Sequence, residues 1–189
     1  MNENVMLMRR AKAQLQNKWV NVALGSLIFL ALMAIASGTY LVEFIVYGPL
    51  TFGYFLYIAC NVDTSQNNLN LLFKGFERFG DTLVAGILVS LATSFGLILL
   101  IVPGIIVACG LGMTFFIMVD DPNISGIDAM QQSWNMMKGQ KWNLFCLWFR
   151  FIGWALLSVL TCGIGFIFLY PYITTATLNF YRKLRYGTY

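Results

Sequence analysis

Hydrophobic residues fall along this chain in three long blocks that are almost free of charge. The blocks run over 19–62, 82–119 and 142–181, and their charged residues are Glu43 in the first and Arg150 in the third. Each block is about forty residues long, and one membrane-spanning helix needs roughly 20 residues at a rise of 1.5 Å per residue. The pattern therefore predicts two spans and a short turn in each block.

Each block contains a break where a turn is expected, because glycine permits positive φ and proline removes a backbone donor. The breaks are Ser37-Gly38-Thr39, Pro103-Gly104 and Thr161-Cys162-Gly163-Ile164-Gly165. Backbone groups in lipid must be paired within their own segment, so the spans should be helices, whereas the strands of a β-barrel would alternate apolar and polar residues. The predicted fold class is an all-α, polytopic transmembrane helix bundle of about six spans arranged as three hairpins, in a single domain over 1–189. The shortest span, Ile105–Val119, has 15 residues.

Composition excludes an ordinary soluble domain. The chain is 59% hydrophobic and 11% charged, against about 45–50% and about 25% in soluble proteins. Histidine is absent from the sequence, which excludes His-based triads, His zinc motifs and His proton shuttles. The four cysteines form no CxxC pair, so neither a zinc site nor a redox motif is signalled. We therefore expect no metal, no cofactor and no enzymatic activity.

Basic residues indicate the orientation of the predicted bundle. Eleven of the twelve Lys and Arg residues lie outside the blocks, and the exception is Arg150. With three hairpins these segments share one face, which the positive-inside rule makes cytoplasmic. We expect a multi-pass protein of the cytoplasmic (inner) membrane with both termini in the cytoplasm and anionic lipid headgroups as partners. No nucleic-acid-binding motif is present, and a signal peptide cleaved after Ala34-Ile35-Ala36 is an alternative interpretation of the first apolar run.

An amphipathic helix is predicted between the second and third blocks. Ser125 and Asp128 form a capping box that would begin it. The acidic pair Asp120-Asp121 before it is interpreted as part of a solvated loop, with a Mg²⁺-phosphate site as the alternative. The helix is expected on the cytoplasmic side, either along the membrane surface or docked under the bundle. Its apolar face is predicted to hold Ile127, Met130, Trp134 and Met137.

Arg150 is the cation within the third block, and a central arginine costs about 2.5 kcal/mol or more on insertion. Trp154 follows at i+4, where its ring can meet the guanidinium. Three interpretations stay open: the side chain snorkels to the cytoplasmic headgroups, binds a lipid phosphate or an acidic ligand, or pairs with an acidic residue inside the bundle. Together with two basic neighbours in sequence, the candidate lipid- or anion-binding residues are Arg150, Trp154, Lys138 and Lys141.

Prolines suggest a second class of function. Pro49 and Pro171 interrupt apolar helices and are predicted kinks, whereas Pro103 and Gly104 form a predicted turn. Transporters use broken helices to bind cargo, so a small transporter or channel is the alternative function. Small residues at a spacing of four, as at Gly104 and Ala108, let helices approach closely. A homo-oligomer or another membrane protein is therefore a further expected partner.

The second half of the chain resembles an uncharacterised bacterial integral-membrane family, a domain of unknown function. That family is distantly similar to the membrane domain of some glycerophosphodiester phosphodiesterases. The resemblance covers 69–184 and implies a multi-span membrane protein without a catalytic domain. At the position of Arg150 such proteins often carry a small polar residue, so this arginine departs from the pattern. The residues that carry the resemblance are Leu72-Phe73, Gly75-Phe76, Pro103-Gly104-Ile105-Ile106, Asp121-Pro122, Ser133, Met137-Lys138-Gly139, Phe145, Gly153-Trp154, Thr161, Gly163, Gly165, Pro171-Tyr172 and Phe180-Tyr181.

These observations lead to one expected function and one alternative. A basic cytoplasmic face, an amphipathic helix and an intramembrane arginine favour a non-enzymatic membrane module that binds lipid or an amphiphile, or assists a partner. The predicted kinks favour the alternative of a small transporter or channel. Measuring substrate flux in proteoliposomes would distinguish the two.

Overall fold

The computed structural model describes residues 3–16, 18–38, 40–64, 68–99, 101–161 and 163–187. Within these ranges the chain is helical and contains no β-strand, so the predicted all-α class is confirmed. A 3₁₀ segment, Leu69–Phe76, lies between the third and fourth α-helices. The α-helices are α1 Glu3–Leu15, α2 Trp19–Ala36, α3 Tyr40–Thr64, α4 Phe79–Leu99, α5 Ile101–Leu111, α6 Thr114–Asp120, α7 Gly126–Met136, α8 Lys141–Leu160 and α9 Ile164–Tyr186.

The first and third predicted breaks fall between helices. α2 ends at Ala36 and α3 begins at Tyr40, around the predicted Ser-Gly-Thr turn. α8 ends at Leu160, and Gly163 precedes α9 with φ of 84°. That backbone conformation strains residues with a Cβ, which is why glycine is suited to this position.

The second break lies before Pro103 rather than at it. α4 ends at Leu99 and α5 begins at Ile101, so Pro103 and Gly104 belong to the first turn of α5 and the predicted Pro103-Gly104 turn is wrong. Proline is tolerated there because an N–H in the first turn of a helix has no partner within the helix. Gly104 serves close packing instead, since a Cβ built on Gly96 of α4 would lie 2.9 Å from the Gly104 Cα.

Five helical stretches of the described chain have the length and composition to cross a membrane, which indicates a membrane protein. One of them joins α5 to α6 over 19 residues and is longer than the 15-residue span expected from the sequence. The sixth predicted span corresponds to α9, which is 23 residues long but more polar than the other five. Six spans in three hairpins therefore stay a prediction. The five stretches are Trp19–Ala36, Ile45–Thr64, Phe79–Ile98, Val102–Asp120 and Lys141–Leu160.

α3 is the central helix, because it contacts α2, α4, α6, α9 and the 3₁₀ segment. Its two largest core side chains, Tyr54 and Tyr57, are fully buried. The Tyr54 hydroxyl lies 2.9 Å from the Ser26 hydroxyl, and the Tyr57 hydroxyl donates to the Asn21 carbonyl at 2.6 Å. Both buried phenols therefore have a hydrogen-bond partner on α2, which ties α2 to α3.

Glycines let α3 touch the backbone of its neighbours. A Cβ on Gly48 would overlap the Thr82 carbonyl of α4, and a Cβ on Gly53 would overlap the Leu72 carbonyl of the 3₁₀ segment. Close approach of this kind replaces the hydrophobic effect as a packing force where lipid surrounds the helices. A larger residue at either position would push α3 away from its partner.

The predicted amphipathic helix is present as α7, and it docks through a face that overlaps the predicted apolar face. Its N-cap is Ser125, whose hydroxyl accepts the Asp128 N–H at 3.2 Å, so this half of the predicted capping box is confirmed. The Asp128 carboxylate accepts from the Ser125 hydroxyl at 2.7 Å, not from the backbone N–H that a capping box uses. Of the predicted apolar face, Met137 is fully buried, Met130 and Trp134 are half-buried, and Ile127 is 58% exposed. Gly126 and Ser133 are also buried, because Gly126 lies against α4 and the Ser133 hydroxyl donates to the Gly110 carbonyl at 2.8 Å. The helix therefore packs under the bundle through small residues together with Met137.

Large apolar side chains are exposed along α4 and α8. Proteins surrounded by water rarely expose such continuous apolar faces. Hydrocarbon solvates these faces without cost, so they are the surfaces expected to meet lipid. They include Leu88, Leu91, Phe95, Leu97 and Ile98 on α4, and Phe149, Ile152, Leu156, Leu157, Val159 and Leu160 on α8.

Candidate ligand-binding sites

Arg150 lies on an exposed face of α8. Its guanidinium makes no hydrogen bond, ion pair or ring contact with any residue in the described part of the chain. Trp154, one turn further along, is 57% exposed. The side chain of Glu43, its possible acidic partner, lies outside the described residues. Arg150 therefore projects toward the surroundings of the bundle.

The two predicted lysines differ in their environment. Lys138 is exposed just beyond α7. The Lys141 ammonium lies 3.2 Å from the centroid of the Trp134 ring, a cation–π contact that holds it against α7. Lys141 also borders a groove of 240 Å³ between α5 and α8. Lys141 is the charged residue in the described lining of this groove, and the other lining residues are apolar. The other lining residues are Val102, Ile105, Ile106, Cys109, Trp142 and Phe145.

A second, larger groove of 380 Å³ runs along α8 and α9, and we call it the α8–α9 groove. Its walls are mostly apolar, and Lys12 of α1 is the charged group in its described lining. The Trp19 ring closes part of the wall by packing on Phe168 and Tyr172, with ring centroids 6.5 and 6.4 Å apart. The Tyr172 hydroxyl donates to the Met8 carbonyl at 3.2 Å, which anchors α1 beside the groove. The remaining lining residues are Trp154, Leu157, Ser158, Thr161, Gly165 and Leu169.

The four candidate lipid- or anion-binding residues that the sequence grouped together lie in different places. Trp154 lines the α8–α9 groove and Lys141 lines the α5–α8 groove, whereas Arg150 and Lys138 line neither. The four residues therefore do not form one site. Lys12 lines the α8–α9 groove together with Trp154. The sequence had indicated Lys12 only as one of the basic residues outside the three blocks.

A cavity of 320 Å³ lies at the centre of the bundle, between α3, α4, α5, α6, α8 and α9, and we call it the central cavity. Its described lining contains no charged side chain but is rich in hydroxyl groups. Both predicted kink prolines lie inside helices that border it, Pro49 in α3 and Pro171 in α9. The hydroxyl-bearing lining residues are Tyr47, Thr51, Thr93, Tyr170, Thr174 and Thr177.

An aromatic stack closes one side of the central cavity. Phe55 of α3 stacks on Phe116 of α6, with centroids 4.3 Å apart and planes 10° apart. Phe116 in turn stacks on Tyr181 of α9 at 5.7 Å and 21°. The stack therefore runs from the cavity wall toward the end of α9 that carries the basic residues.

Tyr181 connects this stack to a hydrogen-bond cluster around Asp120. The Tyr181 and Tyr186 hydroxyls each donate to the Asp120 carboxylate at 2.7 Å, and Arg185 Nε lies 3.5 Å from the same oxygen. The hydrogen bond to the Asp120 carboxylate raises the pKa of Tyr186, because it stabilises the protonated phenol. Asp120 is therefore engaged with α9 rather than free for the Mg²⁺-phosphate role considered as an alternative.

A second ion pair joins α9 to α3. The Arg182 guanidinium binds the Asp63 carboxylate through two hydrogen bonds of 2.8 and 2.6 Å. Two parallel bonds of this kind fix direction as well as distance. Lys18 adds a related contact, since its ammonium donates to the Asn61 and Val62 carbonyls at the end of α3. The basic segments at this end of the bundle thus hold the ends of the helices together.

Metal-binding groups do not gather in the part of the chain that the structure describes. No three His, Cys, Asp or Glu side chains lie close enough there to hold an ion. The grooves and the cavity have room for a ligand, as does a cleft of 480 Å³ between the start of α4 and the start of α7.

The C-terminal half of the chain matches a known family model. The match covers residues 92–187, from the end of α4 through α9, and the family is described as a protein of unknown function, DUF975. No curated protein and no solved structure matches the chain. The α5–α8 and α8–α9 grooves, the Asp120 cluster and α7 all draw residues from the matched region. The chain therefore belongs to the DUF975 family of proteins of unknown function.

Proposed function

We propose that this chain is a multi-pass protein of the bacterial inner membrane that binds an anionic amphiphile, such as an acidic phospholipid, in the α8–α9 groove. The observation that carries the proposal is the groove itself, which combines 380 Å³ of mostly apolar space with the ammonium of Lys12. Ligand sites commonly have volumes of about 300–1,000 Å³ and a few charged or polar groups that fix orientation. An acyl chain suits the apolar wall, and a phosphate suits Lys12.

The topology we propose has six spans in three hairpins with both termini in the cytoplasm. Helices in each proposed hairpin pack on each other: α2 on α3, α4 on α5, and α8 on α9. The sixth span is α9, whose polar residues, such as Thr175 and Asn179, are buried against other helices rather than facing lipid. The Lys and Arg residues outside the blocks support the cytoplasmic assignment of both ends.

Selectivity in this groove should come from charge. An acyl chain gains little by leaving lipid for an apolar groove, because both surroundings are hydrocarbon. A basic residue near the membrane surface attracts an anionic headgroup by about 1 kcal/mol. Lys12 therefore decides which lipid occupies the groove, and Arg150, exposed on the same helix as Trp154, is proposed as a second headgroup contact.

Native mass spectrometry of the protein released from nanodiscs would test the proposal. Nanodiscs would contain equal amounts of phosphatidylglycerol and phosphatidylcholine. We expect the wild type to retain phosphatidylglycerol and Lys12→Gln to retain about five-fold less, as 1 kcal/mol implies. Arg150→Leu is expected to reduce retention less strongly. Lys74→Gln is the matched control, since Lys74 is also exposed but lies in the 3₁₀ segment outside the groove.

Equal retention by the wild type and Lys12→Gln would contradict the proposed groove. Loss of phosphatidylglycerol in the Lys74→Gln control as well would mean that net charge, not the groove, attracts the lipid. Retention of phosphatidylcholine to the same extent as phosphatidylglycerol would show that charge does not select the lipid in the groove.

Our proposal assigns no reaction to this chain. The more distant likeness to the membrane domain of glycerophosphodiester phosphodiesterases remains a prediction, and it implies no phosphodiesterase activity here. The second candidate function is a small transporter, favoured by the central cavity between the two proline-containing helices. Solute flux in proteoliposomes that is lost when the cavity is filled would favour transport over lipid binding.

A further inference from the structure

We propose that the central cavity is a binding site for a small, uncharged molecule that has a flat ring and a hydrogen-bonding group. The site is separate from the α8–α9 groove, and the two share no lining residue. Three features support this site: the lining chemistry, one hydroxyl without a well-formed hydrogen bond, and the position of the two prolines.

The absence of charge in the described lining determines the charge of the ligand. An ion in such a site would lose its hydration without gaining a counter-ion, which is costly inside a membrane protein. A volume of 320 Å³ lies at the lower end of the range for ligand pockets, about 300–1,000 Å³. The ligand is therefore neutral and small.

Thr51 provides the most direct indication that something polar binds here. Its side chain is 5% exposed, and its hydroxyl makes no hydrogen bond of standard geometry in the described chain, although the Tyr47 hydroxyl lies near it. A buried hydroxyl that lacks a well-formed hydrogen bond costs up to about 1–3 kcal/mol. A ligand carbonyl or amide in the central cavity would satisfy it.

Neighbouring hydroxyls have capacity left for the same ligand. Thr174 donates to the Tyr170 carbonyl at 3.0 Å, and the Tyr54 hydroxyl also interacts with its oxygen, which leaves one acceptor position for a ligand. Thr177 donates to the Ile173 carbonyl and accepts the Trp148 indole N–H at 3.3 Å. The lining thus presents both a donor, from Thr51, and an acceptor, from Thr174.

Aromatic rings provide the complementary apolar surface. Phe55 and Phe116 line the cavity as a stacked pair, and Phe115 and Trp148 also border it. Rings prefer stacked or edge-on contacts with other rings. A flat ring is therefore the apolar part that this lining would bind best.

The two prolines lie beside the hydroxyls, inside helices that continue through them. Tyr47 and Thr51 lie two residues on either side of Pro49, and Tyr170 and Thr174 flank Pro171. Each proline removes one backbone hydrogen bond, which makes bending of its helix easier. The helices that hold the polar groups are thus the ones able to adjust around a ligand.

Isothermal titration calorimetry on protein in nanodiscs would test this site with benzamide, the simplest neutral ring that carries an amide. Benzoate, its charged isostere, and ethylbenzene, which lacks hydrogen-bonding groups, are the control probes. We expect measurable binding of benzamide, weaker binding of ethylbenzene and none of benzoate. Thr51→Val removes the hydroxyl at nearly constant volume and should weaken benzamide binding about 3- to 10-fold.

Three further variants keep the experiment interpretable. Thr64→Val, on the same helix but exposed at its end, should leave benzamide affinity unchanged. Thr93→Phe should fill the cavity and abolish binding, with retention of the folded state checked by the thermal unfolding midpoint. Lys12→Gln, which tests the lipid groove, should not alter benzamide binding.

Several results would overturn the proposal. These are the absence of benzamide binding at millimolar concentration, binding of benzoate as strong as that of benzamide, and unchanged affinity in Thr51→Val or Thr93→Phe. Occupation of the cavity by water alone would produce the first result. Occupation by a lipid acyl chain would make ethylbenzene bind at least as well as benzamide.

Discussion

Replacement of Asp120 by alanine is expected to loosen the end of α9 from α6. The Asp120 carboxylate accepts hydrogen bonds from Tyr181 and Tyr186, each 2.7 Å long, and lies 3.5 Å from Arg185 Nε. Its side chain is 26% exposed, so solvent screens the cluster only in part. Alanine removes all three contacts at once and leaves the hydroxyl of Tyr181, a fully buried residue, without this acceptor.

The loss of stability in Asp120→Ala can be estimated from these contacts. An unsatisfied hydroxyl on a buried residue costs about 1–3 kcal/mol, which applies to Tyr181. The other two partners, the exposed Tyr186 and the half-buried Arg185, add roughly 0–1 kcal/mol each. We therefore expect Asp120→Ala to lower the free energy of unfolding by about 1–5 kcal/mol, which corresponds to about 2–20 °C in the unfolding midpoint of a chain of this length.

Thermal unfolding in detergent micelles, followed by circular dichroism, would measure this change. Asp121→Ala is the matched control, because that neighbouring carboxylate accepts one local bond, from the Asn123 N–H at 3.0 Å. A double-mutant cycle with Tyr181→Phe should give a coupling of about 1–2 kcal/mol. Midpoints of Asp120→Ala and Asp121→Ala within 1 °C of each other, or a coupling near zero, would refute the reasoning.

Three further predictions concern stability. Gly48→Ala should destabilise the protein by about 1–3 kcal/mol, because the new Cβ overlaps the backbone of α4. Gly153→Ala has open space around it and should stabilise α8 by about 0.5–1 kcal/mol. Unfolding midpoints of the two variants that shifted in the same direction would contradict this prediction. Ser125→Ala should cost about 0.5–2 kcal/mol through loss of the α7 cap, measured in the same way, and no change would argue against the cap. The stabilisation provided by Tyr186, whose pKa is raised by Asp120, should be complete below its ordinary pKa of about 10 and disappear as the pH rises through the higher folded value. A stability difference between wild type and Tyr186→Phe that is independent of pH would contradict it.

The ends of the helices were largely predictable because local chemistry determines them. Glycine at position 163 and the Ser-Gly-Thr sequence before Tyr40 interrupt helices whatever surrounds them. Pro103 was misassigned because proline is accepted in the first turn of a helix as readily as in a turn, and sequence alone does not separate the two cases. The sequence therefore predicted the helical type of the elements, whereas the number of six spans stays a prediction.

The buried face of α7 was predicted only in part. Met137 of the predicted apolar face is fully buried, whereas Ile127 is 58% exposed. Gly126 and Ser133 contribute to the contact because small residues allow α7 to approach α4 and α5 closely. Hydrophobicity does not measure this kind of packing, so the spacing of large apolar residues did not identify these two positions.

Ligand-binding features were the least predictable part of the molecule. Lys12 and Trp154 are 142 positions apart in sequence, yet they line one groove. The central cavity combines residues from six helices, and none of its hydroxyl-bearing residues forms a recognisable motif. The local signal that did exist was the presence of Thr51 and Thr174 near prolines. Sites of this kind depend on which helices meet, and local sequence does not contain that information.

Tyr181 has a consequence for how the two ends of the molecule communicate. Its ring belongs to the stack that closes the central cavity, and its hydroxyl belongs to the cluster at the end of α9. A molecule that displaced Phe116 would therefore disturb the hydrogen bond to Asp120. Thermodynamic linkage requires the reverse as well: any partner that captured the Asp120 carboxylate would change affinity inside the bundle by the same factor. Tyr181 thus connects the central cavity to the hydrogen-bond cluster at the end of α9.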